Sequence, residues 1–359
     1  EHPVPPARIV ELALVSFGPT LIGGATEHQL FVHRRGASHI FPRNLGSEIR
    51  DCMGATVDKT LREIGNGVYA YTQLPGSWGW SNAGLVTDGG QSLLVDTLFD
   101  LELTQAMLDA MRRAVPAANQ IDTVVNTHGN GDHCYGNMLV ANSEIIGTRG
   151  CVEDLRESPP SRINLLMRAA RIVDSLGAGG RMLGAILNAV GVDRVALLSE
   201  AASLALPAFG AFEFSGIEPV PPNRIFEGEL ELRVGNKDVV LIELGPAHTR
   251  GDAVVWVPED KTLFTGDLLF KDSHPIIWEG PVSNWIEALR RLLDMDIETV
   301  VPGHGVLTDK AGLREILHYL EVLSSETQRR YDGGMPAEEA IRDLTLDEFK
   351  GWLDPERIY

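Results

Sequence analysis

The chain has 359 residues, of which 44% are hydrophobic, and it carries a formal net charge of −19 at pH 7. This hydrophobic content is enough for the core of one large domain or two smaller ones. The acidic balance argues against a nucleic-acid partner, because such proteins neutralise phosphates with clustered Lys and Arg. No apolar run approaches the roughly 20 residues that span a bilayer, so we expect no membrane association.

The cysteines are three in number and widely spaced, at Cys52, Cys134 and Cys151. An odd, scattered set is unlike a disulfide framework and favours a reducing compartment. The opening stretch, EHPVPPARIVELALVSFGPTL, has no basic n-region and no compact apolar h-region, so no signal peptide is visible. We therefore expect a cytoplasmic protein, although a leader that had already been removed would leave no trace.

Residues 1–62 have no clear pattern and are interpreted as an N-terminal extension. After it, GVYAYTQL (67–74) alternates like a half-buried strand, and AGLVTDGGQSLLVDT (83–97) predicts a hairpin that turns at Asp-Gly-Gly. LTQAMLDAMRRAV (103–115) has its apolar residues at helical spacing, and IDTVVNT (121–127) predicts a short strand. This strand–helix–strand order predicts a layered α/β fold.

The pattern becomes helical in about residues 155–215. INLLMRAARIVDSL (163–176) and MLGAILNAV (182–190) each place apolar residues on one face. We interpret this region as a helical insertion whose apolar faces pack in the core or between subunits, so a homodimer is plausible. The insertion would roof the pocket and limit the size of the substrate.

Strands and helices alternate again in the last third of the chain. AVVWVPEDKTLFTGDLLF (253–270) predicts two strands around a turn, NWIEALRRLLDM (284–295) a helix, and AGLREILHYLEVLSSETQRRY (311–331) a long helix. We expect the main domain to cover residues 63–310, with C-terminal helices in 311–359 packed on the same domain.

Four short motifs each follow a β-rich run: THGNGDH (127–133), PAHTRGD (246–252), FTGDLLF (264–270) and VPGHG (301–305). Each motif is weak alone, but four in order, each presenting His or Asp just past a strand, indicate one shared site. Together they resemble the metallo-β-lactamase superfamily, the αββα sandwich hydrolases, over roughly residues 65–310. HTRGDAVVW, HPIIWEGPVSNW and VPGHG are most similar to the glyoxalase II-like and the quinoprotein-relay or sulfur-oxidation-associated hydrolases.

The resemblance implies two adjacent metal positions. The first would use His128, residue 130 and His248; the second would use Asp132, His133 and His304; and Asp267 would bridge the two. Zinc favours imidazole and carboxylate ligands and leaves a position for water in catalytic sites. Two metal ions roughly 3.5–4 Å apart can share a hydroxide and polarise the bond under attack. We expect one or two Zn²⁺ ions, although iron or manganese would also suit these donors.

The family motif H-x-H-x-D-H here contains Asn130 in place of its second histidine. A carboxamide oxygen is a weaker ligand for zinc than imidazole. The first position could therefore be filled weakly, or the protein could use a single metal at the second position. Alternatively, Asn130 could contact the substrate through both its amide donor and its acceptor. A wholly inactive site is disfavoured, because only one of the expected ligand positions has changed.

Three aspartates are assigned roles beside the ligands. In the superfamily the residue equivalent to Asp132 binds metal and orients the attacking water, and its carboxylate can accept the proton of that water. Asp96 could accept an N–H from a ligand histidine and hold its tautomer, or could simply cap a turn. Asp252 could stabilise the loop under His248, or could belong to an ordinary turn.

Several further residues are candidates for the substrate pocket. Trp78 and Trp80, in a glycine-flanked turn, suit either a wall for an apolar substrate or the core. His274 and Trp278 follow the third motif and could line the mouth of the pocket. Arg250 could bind a substrate carboxylate or sulfate, with a surface salt bridge as the alternative.

These patterns favour a metal-dependent hydrolase of small molecules. A metal-bound hydroxide would attack an ester, thioester, lactone or related acyl centre, and the metal would stabilise the developing oxyanion. The first alternative is a non-hydrolytic metal-dependent lyase, such as a decarboxylase, or an isomerase on the same fold. The second is a catalytically silent binding protein.

Overall fold

A computed structural model of the chain describes residues 58–175 and 205–358. Cys52, nearly all of the predicted N-terminal extension and the helix predicted at 182–190 lie outside the described residues. The boundary that the sequence suggests between residues 62 and 63 falls inside a strand, β1 (Asp58–Gly65), which pairs with the next strand from Asp58 to Gly65. Residues 58–62 are therefore part of the first of the two sheets.

The first sheet has seven strands among the described residues, in the same order as in the chain. The strands after β1 are β2 (Val68–Leu74), β3 (Ala83–Asp88), β4 (Gln91–Val95), β5 (Thr123–Val125), β6 (Glu144–Thr148) and β7 (Arg224–Phe226). The pairs from β1 to β4 are antiparallel, and the pairs from β4 to β7 are parallel. The predicted hairpin of residues 83–97 is formed by β3 and β4.

The second sheet has five strands in the described part of the chain, in the order β12-β11-β10-β9-β8. They are β8 (Glu229–Val234), β9 (Lys237–Glu243), β10 (Ala253–Val257), β11 (Thr262–Phe264) and β12 (Thr299–Val301). All pairs are antiparallel except β11 with β12, which is parallel.

Apolar residues of the two sheets pack face to face as one buried cluster, which includes Val86 and Val95 from the first sheet and Leu241 and Val255 from the second. The sheets approach closely at Gly84, where a Cβ atom would lie 2.1 Å from the ring of Phe264. A larger residue at 84 would have to push the sheets apart, so glycine is required there by packing.

Helices cover the outer faces of both sheets. They are α1 (Leu101–Ala114), α2 (Gly131–Cys134), α3 (Arg149–Glu157), α4 (Pro160–Ser175), α5 (Val282–Asp294), α6 (Lys310–Asp332) and α7 (Ala337–Asp343), and residues 205–209 are also helical. Buried residues of α1, including Met107 and Met111, join the core on the first sheet, while Trp285 of α5 and Ile316 of α6 join the core on the second. The αββα fold expected from the sequence is confirmed. Among the described residues, no helix is sufficiently long and apolar to cross a bilayer.

Candidate metal centre and substrate pocket

The four motifs meet at one edge of the sandwich, where their loops leave the strands. Asp267 lies at the centre of four imidazoles and is buried. Its Oδ1 lies 3.1 Å from His133 Nε2, and its Oδ2 lies 3.3 Å from His248 Nε2, 3.5 Å from His304 Nε2 and 3.7 Å from His128 Nε2. The structure thus places Asp267 where a bridging ligand would lie.

The donor atoms form two groups, in each of which all atoms lie within 4.8 Å of one another. One group comprises His128, His248 and Asp267, and the other comprises Asp132, His133 and His304. In the second group Asp132 Oδ2 lies 3.3 Å from His304 Nε2. These groups correspond to the first and second metal positions expected from the sequence. Their role as ligands remains a prediction.

The four imidazoles share one orientation: each directs Nε2 toward Asp267 and bonds through Nδ1 to an oxygen on the far side. The Nδ1 partners are Thr127 Oγ1 for His128 (3.0 Å), Asp96 Oδ2 for His133 (2.9 Å), the Ile276 carbonyl for His248 (2.7 Å) and the Gly76 carbonyl for His304 (3.0 Å). Since each of these oxygens accepts a hydrogen bond from Nδ1–H, the network assigns the free lone pair of each neutral ring to Nε2.

Buried atoms without hydrogen bonds test whether the residues fit a metal ion. His128 Nε2, His133 Nε2 and Asp267 Oδ1 are buried and have no hydrogen-bond partner. Leaving such an atom unpaired costs about 1–3 kcal/mol. With a neutral His133 in the tautomer above, lone pairs of His133 and Asp267 face each other, and either a proton on Nε2 or a metal cation would satisfy both. The donor set therefore fits a divalent metal ion.

The electrostatics differ between the two positions. At the second position, burial opposes protonation of His133 and His304. Nearby carboxylates, above all Asp267, outweigh burial and raise the pKa of both imidazoles. The pKa of His304 is raised to about 9. At the first position, burial lowers the pKa of His128 and His248. Burial also favours the neutral form of Asp267, yet the imidazoles, led by His304, hold its pKa well below the ordinary value. Positive charge is thus favoured most at the second position.

Asn130 contacts a histidine of the first position. Its Nδ2 lies 3.1 Å from His248 Nε2. Because Nδ1 of His248 donates to the Ile276 carbonyl, the amide N–H of Asn130 donates to the lone pair that His248 would offer to a metal ion. In this arrangement the two side chains satisfy each other, and Asn130 also lines the cavity next to the centre.

Asp96 follows β4 and binds the loop that carries the first motif. Its Oδ1 accepts the backbone N–H of Thr127 (2.7 Å), and its Oδ2 accepts the Thr127 hydroxyl (2.7 Å) and Nδ1 of His133 (2.9 Å). Burial raises the pKa of Asp96, and His133 opposes that shift. The first of the two roles considered for Asp96, holding a ligand histidine, matches these contacts.

Asp252 closes the turn that presents His248. Its Oδ2 accepts the backbone N–H groups of Ala247 (3.2 Å) and Thr249 (2.8 Å), and its Oδ1 accepts the Thr249 hydroxyl (2.7 Å). Burial raises the pKa of Asp252 to about 7. The contacts agree with the expectation that this residue stabilises the loop under His248.

An Asp96→Asn variant is expected to bind metal about 10–100-fold more weakly, because Asp96 accepts from three donors on two oxygens and the NH₂ group that replaces one oxygen cannot accept. Competition with a chromophoric chelator measures the affinity for Zn²⁺. Asp109→Asn is the matched control, since Asp109 pairs with Arg112 on a partly exposed part of α1. Equal affinities in both variants would show that Asp96 shapes only the turn.

A cavity of about 340 Å³ opens onto the centre. Asn130, Asp132, Asp267 and His304 line its polar end. The rest of the wall is largely apolar and includes Trp78, Phe99, Phe209, Phe270, Ile276 and Trp278. This volume is in the range of pockets for small molecules.

The sequence predicted three tryptophans and one histidine in the substrate pocket. Two of these four residues line the cavity and two do not. Trp78 and Trp278 are part of the wall described here. Trp80, beyond the turn at Gly79 (φ 72°), packs against Phe212 with ring centroids 4.7 Å apart. His274 is buried, with Nδ1 3.0 Å from the Tyr319 hydroxyl. For Trp80 the backbone turns at Gly79. For His274 the rings of Tyr319 and Trp352 pack against the imidazole, with centroids 5.4 and 5.9 Å away.

Arg250 lines the cavity but is already bound by carboxylates. Its Nε lies 2.5 Å from Asp154 Oδ1 and its Nη2 lies 2.5 Å from Glu157 Oε2, with Glu279 at 3.7 Å. The salt bridge considered as the alternative for Arg250 is therefore what the structure contains. A substrate anion would have to compete with these carboxylates.

Sequence reasoning missed several groups at the site. Phe270 stacks on His304, with centroids 5.2 Å apart and ring planes 5° apart, and Arg357 lines the cavity. Phe270 ends the FTGDLLF motif, so its position after Asp267 was a usable signal. No local signal identified Arg357 or the carbonyl groups of Gly76 and Ile276, because backbone acceptors have no sequence signature.

The sequence model of the metallo-beta-lactamase superfamily matches residues 76–304, which contain every proposed ligand. The chain belongs to the metallo-β-lactamase superfamily. Its narrower placement among the glyoxalase II-like and the quinoprotein-relay or sulfur-oxidation-associated hydrolases remains a prediction.

Similar proteins match shorter parts of the chain. The alpha subunit of 2,4-dinitroanisole O-demethylase from Nocardioides sp. (strain JS1661) is 32% identical over 87 residues, which are 24% of this chain and 26% of that protein. Acyl-coenzyme A thioesterase MBLAC2 of Gallus gallus is 29% identical over 94 residues, 24% of this chain and 33% of that protein. The chain thus spans about a quarter to a third of the length of these curated relatives. The solved structure of TMB-1 is 19% identical, covering 75% of this chain and 100% of that chain, with a TM-score of 0.49.

Proposed function

We propose that this protein is a metal-dependent hydrolase of small, uncharged esters, thioesters or lactones that carry an apolar or aromatic group. One observation carries the proposal: four imidazole Nε2 atoms surround Asp267 at the polar end of an apolar cavity. Such a cavity would hold the apolar part of a substrate while its reacting bond lies at the centre.

The second position is proposed as the principal metal position. Asp132, His133, His304 and Asp267 provide two imidazoles and two carboxylates there. At the first position, Asn130 replaces an imidazole and donates to His248, so a metal ion would have to displace that hydrogen bond. A divalent ion bound at the centre would lower the pKa of a water molecule and polarise the substrate carbonyl group.

Asp132 is the proposed general base. It lines the cavity, and its backbone carbonyl accepts the Ser81 hydroxyl at 2.6 Å, which holds the residue in place. Burial favours its neutral form, but the imidazoles of His133 and His304 outweigh burial and lower its pKa. The ionised carboxylate can accept a proton from the attacking water and return it to the leaving alcohol or thiol. The oxygen of that water ends in the carboxylic acid product.

Asn130 is the proposed contact to the acyl oxygen. One N–H of its amide donates to His248, and the same amide nitrogen carries a second N–H next to the cavity. A donor at this place would stabilise the negative charge that develops on the carbonyl oxygen. Asn130 would then serve the reaction directly instead of binding metal.

The charges around the cavity favour an uncharged substrate. Arg250 is paired with Asp154 and Glu157, and Arg357 with Asp354, whereas Arg162 donates to the backbone carbonyl of Glu157. The lining still has more carboxylates than guanidinium groups, because Asp132 and Asp267 face the same cavity. Glu279 adds another carboxylate to the lining, and the chain as a whole has a formal charge of −19. Both features would repel anionic substrates.

The name of one of the two relatives supports cleavage at an acyl centre. MBLAC2 is named as a thioesterase of acyl-coenzyme A, and the Nocardioides protein as an O-demethylase subunit. The first name denotes hydrolysis at an acyl centre, which is the reaction proposed for this chain.

Zn²⁺-loaded protein is expected to hydrolyse phenyl acetate and to incorporate ¹⁸O from labelled water into acetate. We expect kcat/KM for phenyl acetate to exceed that for 4-acetoxybenzoate by at least about tenfold, because the added carboxylate meets like charge. 4-Acetoxybenzoate has the better leaving group of the two esters, so chemical reactivity alone would make it the faster substrate. Initial rates and mass spectrometry of the acetate provide the measurements.

Removal of the metal with a chelator is expected to abolish this activity, and Zn²⁺ to restore it. Full turnover in metal-stripped protein would refute the proposal. A product without solvent oxygen would instead favour the lyase or isomerase alternative. Lack of turnover after loading with zinc, iron and manganese would favour a binding protein.

A further inference from the structure

A short segment beyond the range of the family match reaches the pocket. Residues 353–357, here called the closing segment, are bound to the loop after Asp267. Leu353 N donates to the Asp272 carbonyl (2.9 Å), and His274 N donates to the Leu353 carbonyl (2.9 Å). The family match ends at residue 304, so the closing segment lies outside it.

The closing segment holds the turn that carries Trp78. The Ser77 hydroxyl donates to Asp354 Oδ1 (2.6 Å), and Trp78 Nε1 donates to Glu356 Oε1 (2.6 Å). The guanidinium carbon of Arg357 lies 4.6 Å from the centroid of the Trp78 ring, which is a cation–π contact. Two of these contacts fix the indole itself, the third fixes the neighbouring Ser77, and Glu356 is 278 positions away from Trp78 in sequence.

Arg357 is buried within this arrangement, with 8% of its surface exposed. Its Nη1 donates to the His274 carbonyl (3.1 Å), and its Nη2 lies 3.0 Å from Asp354 Oδ2. On the side of the metal centre, its guanidinium carbon lies 5.4 Å from the centroid of Phe270. A buried arginine between two aromatic rings has few alternative positions, so it can determine where both rings lie.

The rings that Arg357 touches are part of the site. Trp78 and Phe270 both line the cavity, and Phe270 stacks on His304. The same turn contributes the Gly76 carbonyl, which accepts a hydrogen bond from Nδ1–H of His304. Displacement of the closing segment would therefore move Trp78 and Phe270 in the pocket wall. It would affect His304 only through Phe270 and the Gly76 carbonyl.

We propose that Arg357 and Glu356 are positioning residues that fix Trp78 as a wall of the substrate pocket and so determine which apolar groups fit. The inference rests on the proposed function for its consequence in substrate choice. The placement of Trp78 itself can be tested without turnover. If the closing segment only stabilises the fold, substitutions in it should lower the melting temperature of the protein and leave its preference between substrates unchanged.

Acrylamide quenching of tryptophan fluorescence tests the placement of Trp78 in the full chain. Each variant is compared with the same variant carrying Trp78→Phe, and the difference gives the signal of Trp78. We expect the quenching constant of Trp78 to rise severalfold in Arg357→Ala and in Glu356→Ala. In Glu356→Gln it should stay near the original value, because the amide oxygen still accepts from Nε1.

Arg342→Ala is the matched control, since Arg342 lies in α7 and makes an exposed pair with Glu338 at 3.6 Å. Its Trp78 signal should be unchanged. Equal quenching in Glu356→Ala, Glu356→Gln and the Arg342 control would overturn the proposal. The Glu356 pair keeps this test valid if Arg357→Ala fails to fold.

Steady-state kinetics then test the consequence for the substrate. For phenyl acetate we expect KM to rise roughly tenfold in Arg357→Ala with kcat within about twofold, because a lost wall removes binding common to ground and transition states. If quenching of Trp78 rises in Arg357→Ala while KM for phenyl acetate is unchanged, the role of Arg357 in specificity is refuted. If the unaltered protein does not hydrolyse phenyl acetate, the proposed function fails while the quenching result still decides the placement of Trp78.

Discussion

Replacing His133 with alanine is expected to remove metal from the second position and to reduce hydrolysis of phenyl acetate to the uncatalysed rate. His133 contributes an Nε2 lone pair 3.1 Å from Asp267 Oδ1, and its Nδ1 is held by Asp96. Without the imidazole, Asp96 and Asp267 lose a common partner, and the remaining donors make an incomplete shell. Elemental analysis of the purified variant and initial-rate kinetics measure the two effects.

His318→Ala is the matched control for this experiment. His318 is exposed on α6, its Nε2 lies 3.0 Å from Glu348, and it belongs neither to the lining of the cavity nor to the two groups of donor atoms. Its metal content and activity should equal those of the unaltered protein. Circular dichroism should show that both variants keep the fold. Normal turnover in His133→Ala would exclude the second position as the site of the chemistry.

Substituting Asn130 by histidine is expected to raise the metal content from about one to about two ions per chain, because a third imidazole restores the first position. The same change is expected to lower kcat, since the amide that would contact the acyl oxygen is lost. Metal analysis and steady-state kinetics on phenyl acetate give both quantities.

Asn130→Ala separates the two effects, because it removes the amide without adding a ligand. Its metal content should stay near that of the unaltered protein, while kcat should fall by roughly 10²-fold, the lower end of the loss seen when one oxyanion donor is removed. If the unaltered protein already binds two ions, Asn130 does not weaken the first position. If kcat is unchanged in Asn130→Ala, the proposed contact to the acyl oxygen is wrong.

Local patterns were sufficient for much of the fold. Helices predicted at 103–115, 284–295 and 311–331 correspond to α1, α5 and α6, with ends within about two residues. Amphipathic spacing repeats within a single turn or two, so each helix could be identified without knowledge of its partners. The hairpin of β3 and β4 followed in the same way from its turn residues.

Residues with two plausible environments could not be placed from the sequence. Trp78 and Trp80 lie in the same turn, yet only Trp78 lines the described cavity, because the backbone turns at Gly79 between them. Arg250 carries a charge that suits either a substrate or a carboxylate, and the neighbouring α3 supplied the carboxylates. The predicted homodimer and cytoplasmic location remain predictions.

Metal-site chemistry could be inferred from the primary structure because histidines and aspartates just past strands are rare enough to be informative in ordered combination. The chain order of THGNGDH, PAHTRGD, FTGDLLF and VPGHG carried the resemblance to the superfamily, and that resemblance implied the ligands and the departure at Asn130. The partner of Asn130, the orientation of each imidazole and the role of residues 353–357 depended on folding. These features arise from contacts between residues up to 278 positions apart, and no local periodicity records which distant side chains will meet.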